Sequence, residues 1–265
     1  MNWKQHSFLV ISATLLGLAV ATPVRAQATG TAPPPPPVTE ADRRAAFPDV
    51  RGHAVHDRAI NYFVLFDQLE WQSDSSAKAL SWDTKGWLGT DVNRFWFRTE
   101  GEREPDAGAG EVHAFYGRAI ARWWDFVAGV RQDAGGGPAR TWAAVGIQGL
   151  SPYWFEVEAT AYIGAGGRAH FRFEAEYDLL LTNRLVLQPL FETEIYGKSD
   201  LARHVGAGVS TIDAGLRLRF EIRRELAPYV GIVWSRKLFG TADMARNAAE
   251  PTGQTKLVVG LRTWF

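Results

Sequence analysis

The sequence predicts an all-β protein: an antiparallel transmembrane β-barrel of about 12 strands, preceded by a short irregular N-terminal segment. Apolar and charged residues alternate at a period of two along most of the chain, which is typical of strands with one apolar and one polar face. Hydrophobic residues make up 46% of the 265 residues, yet the mean hydropathy is only −0.17. The last strand-like segment ends on the aromatic residue Phe265.

Composition excludes several classes of site and partner. The chain contains no cysteine, which excludes a disulfide framework, a thiolate zinc site, an iron–sulfur cluster and a cysteine nucleophile. Lys plus Arg and Asp plus Glu each number 29, so the formal net charge is zero. Because there is no excess of basic residues, we expect no nucleic acid among the partners.

Residues 1–28 are predicted to be a secretory signal peptide. Lys4 provides a positive start, residues 8–21 form an uncharged apolar run, and small residues at Ala26 and Ala28 surround a cleavage point. A run of 14 residues is too short for a transmembrane helix, which takes ~20. The mature chain is therefore expected beyond the cytoplasmic membrane.

Two further regions follow the signal peptide. Residues 29–57 are predicted to be a Pro-rich periplasmic linker, because the run Pro33–Pro37 favours an extended, semi-rigid chain. Residues 58–265 are predicted to be the outer-membrane β-barrel, since regular alternation begins there and continues to the C-terminus.

Twelve segments carry the alternation. In residues 170–179, aromatic and aliphatic side chains at odd positions alternate with His, Arg, Glu and Asp at even positions. Each segment reaches ~10 residues, the length of a tilted strand that crosses a bilayer. The segments lie near 60–72, 80–90, 93–103, 111–122, 124–133, 141–149, 153–164, 168–181, 184–197, 208–223, 226–237 and 254–265.

Alternation alone fits both a soluble β-sandwich or lipocalin-like barrel and a membrane barrel. Three features favour the membrane. The charged face is large and of mixed sign, and the chain ends in an alternating strand with a terminal aromatic that looks like a signal for the barrel-assembly machinery. The third is a set of aromatics near segment ends, as in interfacial girdles: Trp71, Trp82, Trp87, Trp142, Tyr153, Trp154, Tyr196, Trp234 and Trp264.

Asp67 and Glu70 interrupt the parity of the first segment. A regular strand sends residues of opposite parity to opposite faces. We therefore expect either a β-bulge between these residues or a position for Asp67 outside the apolar band.

Several motifs together resemble the copper resistance protein B family, CopB. They include the runs Asn61–Gln72, Trp82–Gly89, Asn93–Glu102 and Gly146–Glu158, followed by Arg184-Leu-Val-Leu-Gln-Pro189. The resemblance covers about 58–265. It implies a Gram-negative outer-membrane protein that serves copper resistance, with outer-membrane lipid around it and a periplasmic multicopper oxidase as a partner.

The resemblance implies copper as the bound ion, and the N-terminal segment offers a first candidate site. His53, His56 and Asp57 would supply two imidazoles and a carboxylate, ligands that suit Cu(II). The resemblance also implies a Met- and His-rich N-terminal segment, which CopB family members commonly carry. This chain departs from that pattern, because it has only two methionines, Met1 and Met244. The alternative interpretation is a solvated stretch with two ordinary histidines.

A second candidate site lies on one strand. His170, Glu174 and Glu176 share one face and are predicted to form an acidic station for a cation, with Glu156 and Glu158 on the neighbouring segment. The alternative is a network of ion pairs that fills the barrel, because unpaired charges in a narrow lumen are costly. Arginines are expected to take part in that pairing: Arg172, Arg217, Arg219, Arg223 and Arg224.

The predicted function is an outer-membrane copper resistance or homeostasis protein that binds or sequesters copper or controls its passage. One alternative is a narrow diffusion channel that is not specific for copper. A second is an outer-membrane lipid hydrolase using His113 with Ser81 or His204 with Ser210. Neither serine stands in a Gly-x-Ser-x-Gly turn, so the chain is predicted not to be an enzyme.

Overall fold

The computed structural model describes residues 36–46, 59–73, 78–105 and 107–265. The signal peptide predicted over 1–28 and the candidate ligands His53, His56 and Asp57 lie outside these residues. The N-terminal part and the barrel form separate compact units.

One short helix interrupts the N-terminal segment that was expected to be irregular. Helix α1 spans Glu40–Ala46 and begins with a capping box at Thr39. Thr39 N–H donates to Asp42 Oδ2 at 2.8 Å, and the Asp42 N–H donates to Thr39 Oγ1 at 3.2 Å. Hydrogen bonds from the Thr39 side chain and backbone hold the pKa of Asp42 below its usual value.

The second unit is a closed antiparallel barrel of twelve long strands, which confirms the predicted fold class. A short strand, β9, adds a thirteenth pairing segment. The strands are β1 Asn61–Ser73, β2 Lys78–Gly89, β3 Asn93–Arg103, β4 Gly108–Ala121, β5 Trp124–Gly135, β6 Arg140–Leu150, β7 Glu156–Gly164, β8 Arg168–Glu176, β9 Leu179–Leu180, β10 Leu185–Tyr196, β11 Gly208–Phe220, β12 Leu226–Lys237 and β13 Gly253–Trp264.

Neighbouring strands pair in chain order, and the first and last strands close the barrel. β1 pairs with β13, with Leu65 opposite Trp264, and Val64 and Phe265 exchange backbone hydrogen bonds of 3.1 and 2.9 Å. β8 and β9 both pair with β10. Pro189 lies opposite the gap between β8 and β9, where the missing N–H of proline leaves no strand partner unsatisfied.

Side chains on the two faces of the wall follow the predicted parity. Large apolar residues on the outer face are exposed to the barrel exterior, for example Leu80 at 58%, Val130 at 52% and Leu257 at 64%. A protein in water would bury such a band, so this face is suited to lipid. Neither described helix is long or apolar enough to cross a membrane.

The predicted aromatic girdle is only partly correct. By parity with lumen-facing charges, four of the nine aromatics lie on the inner face: Trp87, Trp142, Tyr196 and Trp264. Trp142 Nε1 donates to Asp133 Oδ2 at 2.9 Å, and the Tyr196 ring stacks on His170 at 4.2 Å. A place near a strand end sets the depth of an aromatic side chain, whereas parity sets its face.

The two longest connections lie at the end of the barrel opposite the strand termini Asn61 and Phe265. They are residues 197–207 and residues 238–252. Outer-membrane barrels have short periplasmic turns and longer extracellular loops. We therefore assign the long-loop end to the cell exterior.

The connection between β12 and β13 contains helix α2, Phe239–Asn247, which the alternation of the flanking segments does not predict. The helix packs on the preceding long loop. A Cβ at Gly206 would meet Thr241 N at 2.4 Å, so only glycine allows this close approach. Thr241 Oγ1 accepts a hydrogen bond from Gly206 N–H at 2.9 Å and lies 2.8 Å from Ser210 Oγ.

Candidate functional site in the barrel lumen

Arg172 on β8 crosses the middle of the lumen. Its guanidinium contacts carboxylates from three other strands, and two of these strands, β3 and β4, lie on the opposite wall. The four N···O distances are 2.8 Å to Glu100, 2.7 Å to Glu111, 3.0 Å to Glu192 and 3.0 Å to Glu194. The five residues around this contact are called the Arg172 layer below.

A second set of contacts also spans the bore. Glu158 on β7 accepts from Lys85 Nζ on β2 at 3.3 Å and forms an ion pair with Arg98 on β3. Arg98 also donates to Gln148 on β6. Since these strands face one another across the barrel, the contacts tie opposite walls together.

Arg131 on β5 fills the space beside the Arg172 layer. Its guanidinium lies 2.5 Å from Glu111 Oε2 and 2.6 Å from Asp133 Oδ1. His113 Nε2 lies 2.8 Å from the other oxygen of Glu111. An apolar cluster adjoins these groups inside the barrel: Phe115, Val127, Trp142, Ala144 and Tyr162.

A β-bulge places both Asp67 and Glu70 in the lumen, which confirms the expected irregularity. The register of β1 shifts between Phe66 and Leu69. Both carboxylates are buried, at 5% and 2% exposure. Asp67 accepts from Arg262 Nε at 2.6 Å, and Glu70 accepts from Arg217 Nε at 2.6 Å.

The expected arginine cluster divides between the lumen and the surface. Arg217 and Arg219 are buried, and Arg219 lies 2.5 Å from Asp178. Arg224 instead pairs with Glu221 at 2.8 Å and is exposed. Arg223 forms a bridge in the turn between β11 and β12.

Two cavities lie on either side of the Arg172 layer. The larger one, about 480 Å³, is bounded by the long loops and is called the vestibule below. The smaller one, about 20 Å³, has room for one water molecule at most. Residues that line both are Asp83, Glu100, Glu111, Arg172 and Glu174.

Asp83 and Glu174 differ from the other carboxylates at this boundary. Neither has an ion-pair partner within the described part of the chain. Glu100, Glu111 and Glu158 each contact at least one cationic side chain. Among the described residues, these two carboxyl groups at the inner end of the vestibule are therefore available to a ligand without breaking an ion pair.

The three predicted ligands on β8 lie in different surroundings. The His170 ring stacks against Tyr162 and Tyr196 at 5.0 and 4.2 Å, with Nε2 3.4 Å from Glu194. Glu174 lines both cavities, and Glu176 accepts a hydrogen bond from Gln188.

Across residues 36–46, 59–73, 78–105 and 107–265, no three His, Asp or Glu side chains are arranged to hold a metal ion. Copper binding at His170, Glu174 and Glu176, or at His53, His56 and Asp57, stays a prediction. The Arg172 layer, by contrast, was missed as a unit. Parity indicates that the charged face of β8, which carries Arg172, points inward, but nothing in the sequence indicates which side chains meet across the bore.

Comparison with known proteins decides the family. A family model described as copper resistance protein B precursor (CopB) matches residues 60–265. The chain belongs to the copper resistance protein B family. This confirms the resemblance inferred from its motifs.

Two CopB relatives cover most of the chain. A copper resistance protein B of Escherichia coli is 49% identical over 233 residues, which is 88% of this chain and 79% of that protein. A homolog from Pseudomonas syringae pv. tomato is 51% identical over the same share of both. Family membership and the lipid-facing barrel place the chain in the outer membrane, as a copper resistance protein.

The fold has a counterpart among solved structures. The NanC porin aligns with a TM-score of 0.51 and 10% sequence identity, covering 77% of this chain and 99% of that chain. At this identity the likeness shows a shared barrel fold alone.

Proposed function

We propose that this CopB family member contributes to copper resistance by binding copper ions at the outer membrane, not by conducting them through an open pore. The Arg172 layer carries this proposal. It joins both walls of the lumen through charge-assisted contacts, and separating such buried ions is costly. An ion that enters the vestibule therefore meets a closed layer.

Two places are suited to hold the ion. Asp83 and Glu174 offer carboxylates that form no ion pair with any described residue, at the inner end of a vestibule that is open to the exterior. His53, His56 and Asp57 offer imidazole nitrogens, which bind Cu(II) more strongly than carboxylates alone. We propose the N-terminal group as the tighter site and the vestibule as the weaker one.

The proposed role is non-enzymatic. One member of each His–Ser combination considered for hydrolysis has another contact: His113 lies against Glu111, and Ser210 Oγ lies against Thr241 Oγ1. The barrel-assembly machinery, recruited through the strand ending at Phe265, and a periplasmic multicopper oxidase stay proposed partners.

Calorimetric titration of Cu(II) into refolded mature protein tests the proposal. We expect binding that weakens at least tenfold in His53→Ala/His56→Ala and in a variant lacking residues 29–57. Glu174→Gln should remove only the weaker phase. An absence of copper binding in the intact mature protein would contradict the proposal, as would unchanged copper tolerance in a deletion strain.

A further inference from the structure

Lys78 and Arg103 lie on the outer face of the barrel at its extracellular end. Their strand neighbours Ala79 and Glu102 face the lumen, where Ala79 is 5% exposed and Glu102 pairs with Lys256. Alternation therefore turns Lys78 and Arg103 outward. Both are exposed.

These two cations have no carboxylate partner among the described residues. Most lumen cations, in contrast, form ion pairs, as Lys85 and Arg172 do. Cations that form no ion pair with the described residues, at the edge of a lipid-facing band, are placed to meet charged headgroups.

Strand register brings the two cations together. Arg103 on β3 lies opposite Leu80 on β2, and Lys78 is two residues from Leu80 on the same face. Diagonal neighbours of this kind have Cα atoms about 7–8 Å apart. Two long side chains at that spacing can converge on one phosphate group.

Two tryptophans form an aromatic platform beside the cations. Lys78 Nζ lies 5.9 Å from the centre of the Trp71 ring. The Trp82 ring lies against the bare backbone of β3, since a Cβ at Gly101 would meet it at 2.4 Å. Indole rings prefer the membrane interface, so the platform sets the depth at which headgroups pass these cations.

We propose that Lys78, Arg103, Trp71 and Trp82 form a binding site for a phosphorylated lipid of the outer leaflet. The cations bind a phosphate monoester of the headgroup, and the acyl chains run down the outer wall past Leu80 and Leu257. This site lies on the outer surface and does not depend on copper binding in the lumen or at the N-terminus.

Native mass spectrometry of the detergent-solubilised mature protein tests this site. The probe is an acylated glucosamine disaccharide with two phosphate monoesters, compared with the same lipid after dephosphorylation. We expect the phosphorylated lipid to bind more tightly. Lys78→Gln/Arg103→Gln should weaken its binding about tenfold or more, since it removes two cations that each add to the attraction of an anionic headgroup.

Arg118→Gln is the matched control. Arg118 is also exposed on a strand and forms no ion pair with a described residue, but it lies near the periplasmic end, opposite Asn93. Arg118→Gln should bind the lipid as tightly as the parent protein does. Lys78→Arg/Arg103→Lys keeps both charges, so its affinity for the lipid should stay within about threefold of the parent's.

Three results would overturn the proposal. They are equal affinity for the phosphorylated and dephosphorylated lipid, unchanged affinity in Lys78→Gln/Arg103→Gln, and an equal loss in Arg118→Gln. Competition by inorganic phosphate at the lipid's own concentration would instead identify free phosphate as the ligand. Different migration of boiled and unboiled samples verifies that each variant is folded.

Discussion

The Arg172 layer and the vestibule lie side by side in the same lumen, yet their carboxylates differ in whether they form ion pairs. In the layer, one guanidinium contacts four carboxylates at 2.7–3.0 Å. At the inner end of the vestibule, Asp83 and Glu174 have no ion-pair partner among the described residues. The difference separates a region built for closure from a region that can attract a cation.

Arg172→Ala should produce the largest effect. It leaves four carboxylates in the lumen without their shared cation, and breaking a buried ion pair from one side costs about 3–5 kcal/mol. We expect a lower free energy of unfolding in urea. Arg118→Ala, at an exposed arginine with no ion pair among the described residues, serves as the control and should change the free energy of unfolding by less than about 0.5 kcal/mol. Equal stability of the two variants would show that the layer does not hold the walls together.

The buried pair between Glu70 and Arg217 extends the comparison to a second ion pair in the lumen. Glu70→Gln should cost about 3 kcal/mol, because Arg217 is then buried without its carboxylate. Glu70→Leu/Arg217→Met should be more stable than Glu70→Gln, since it removes both charges together. The measurement is again the free energy of unfolding in urea, and a double variant less stable than the single one would contradict this expectation.

Neutralising the vestibule carboxylates should have a smaller effect of opposite sign. Asp83→Asn/Glu174→Gln relieves repulsion between like charges, so the free energy of unfolding should stay constant or rise by up to about 1 kcal/mol. A loss of more than 1 kcal/mol would show that the two carboxylates have structural partners, and would remove the contrast with the Arg172 layer.

The smallest effect on stability is expected at the extracellular end of the barrel, in the loop over residues 238–252. Lys237 donates to Glu250 at 2.9 Å, and this hydrogen bond and charge hold the pKa of Glu250 below its usual value. A lowered folded-state pKa adds stability above the unfolded pKa, and the gain is lost as pH falls through the folded one. Because the pair is exposed, the gain stays below about 1 kcal/mol.

Amide hydrogen exchange in residues 238–252 measures this effect. Exchange in the loop, corrected for the intrinsic pH dependence, should speed up below about pH 4, and Glu250→Gln should show the faster behaviour at neutral pH. If the variant and the parent protein exchange equally, the ion pair does not anchor the loop.

Local patterns predicted the wall of the barrel well. The strands fall within a few residues of their predicted limits because each shows an alternation of period two. Opposite parity at Asp67 and Glu70 indicated the bulge. Helix α2 was missed because its buried residues are small, Thr241, Ala242 and Ala245, and give no apolar periodicity.

The arrangement across the lumen was not predictable in the same way. Parity indicates that Arg172, Glu111 and Glu192 face inward, but not which of them meet. That depends on barrel closure, which brings β3 and β4 opposite β8. The stack of His170 between Tyr162 and Tyr196 is a contact of another kind, because both tyrosines lie directly opposite His170 on the neighbouring strands β7 and β10.

Single-channel recording in planar lipid bilayers tests most directly whether the lumen is closed at the Arg172 layer. We expect no resolvable current steps from the refolded mature protein, because ion pairs join opposite walls. Arg172→Ala should produce steps if it remains folded. Stable current steps from the parent protein, of the same size as those from the variant, would contradict the account and favour the diffusion-channel alternative.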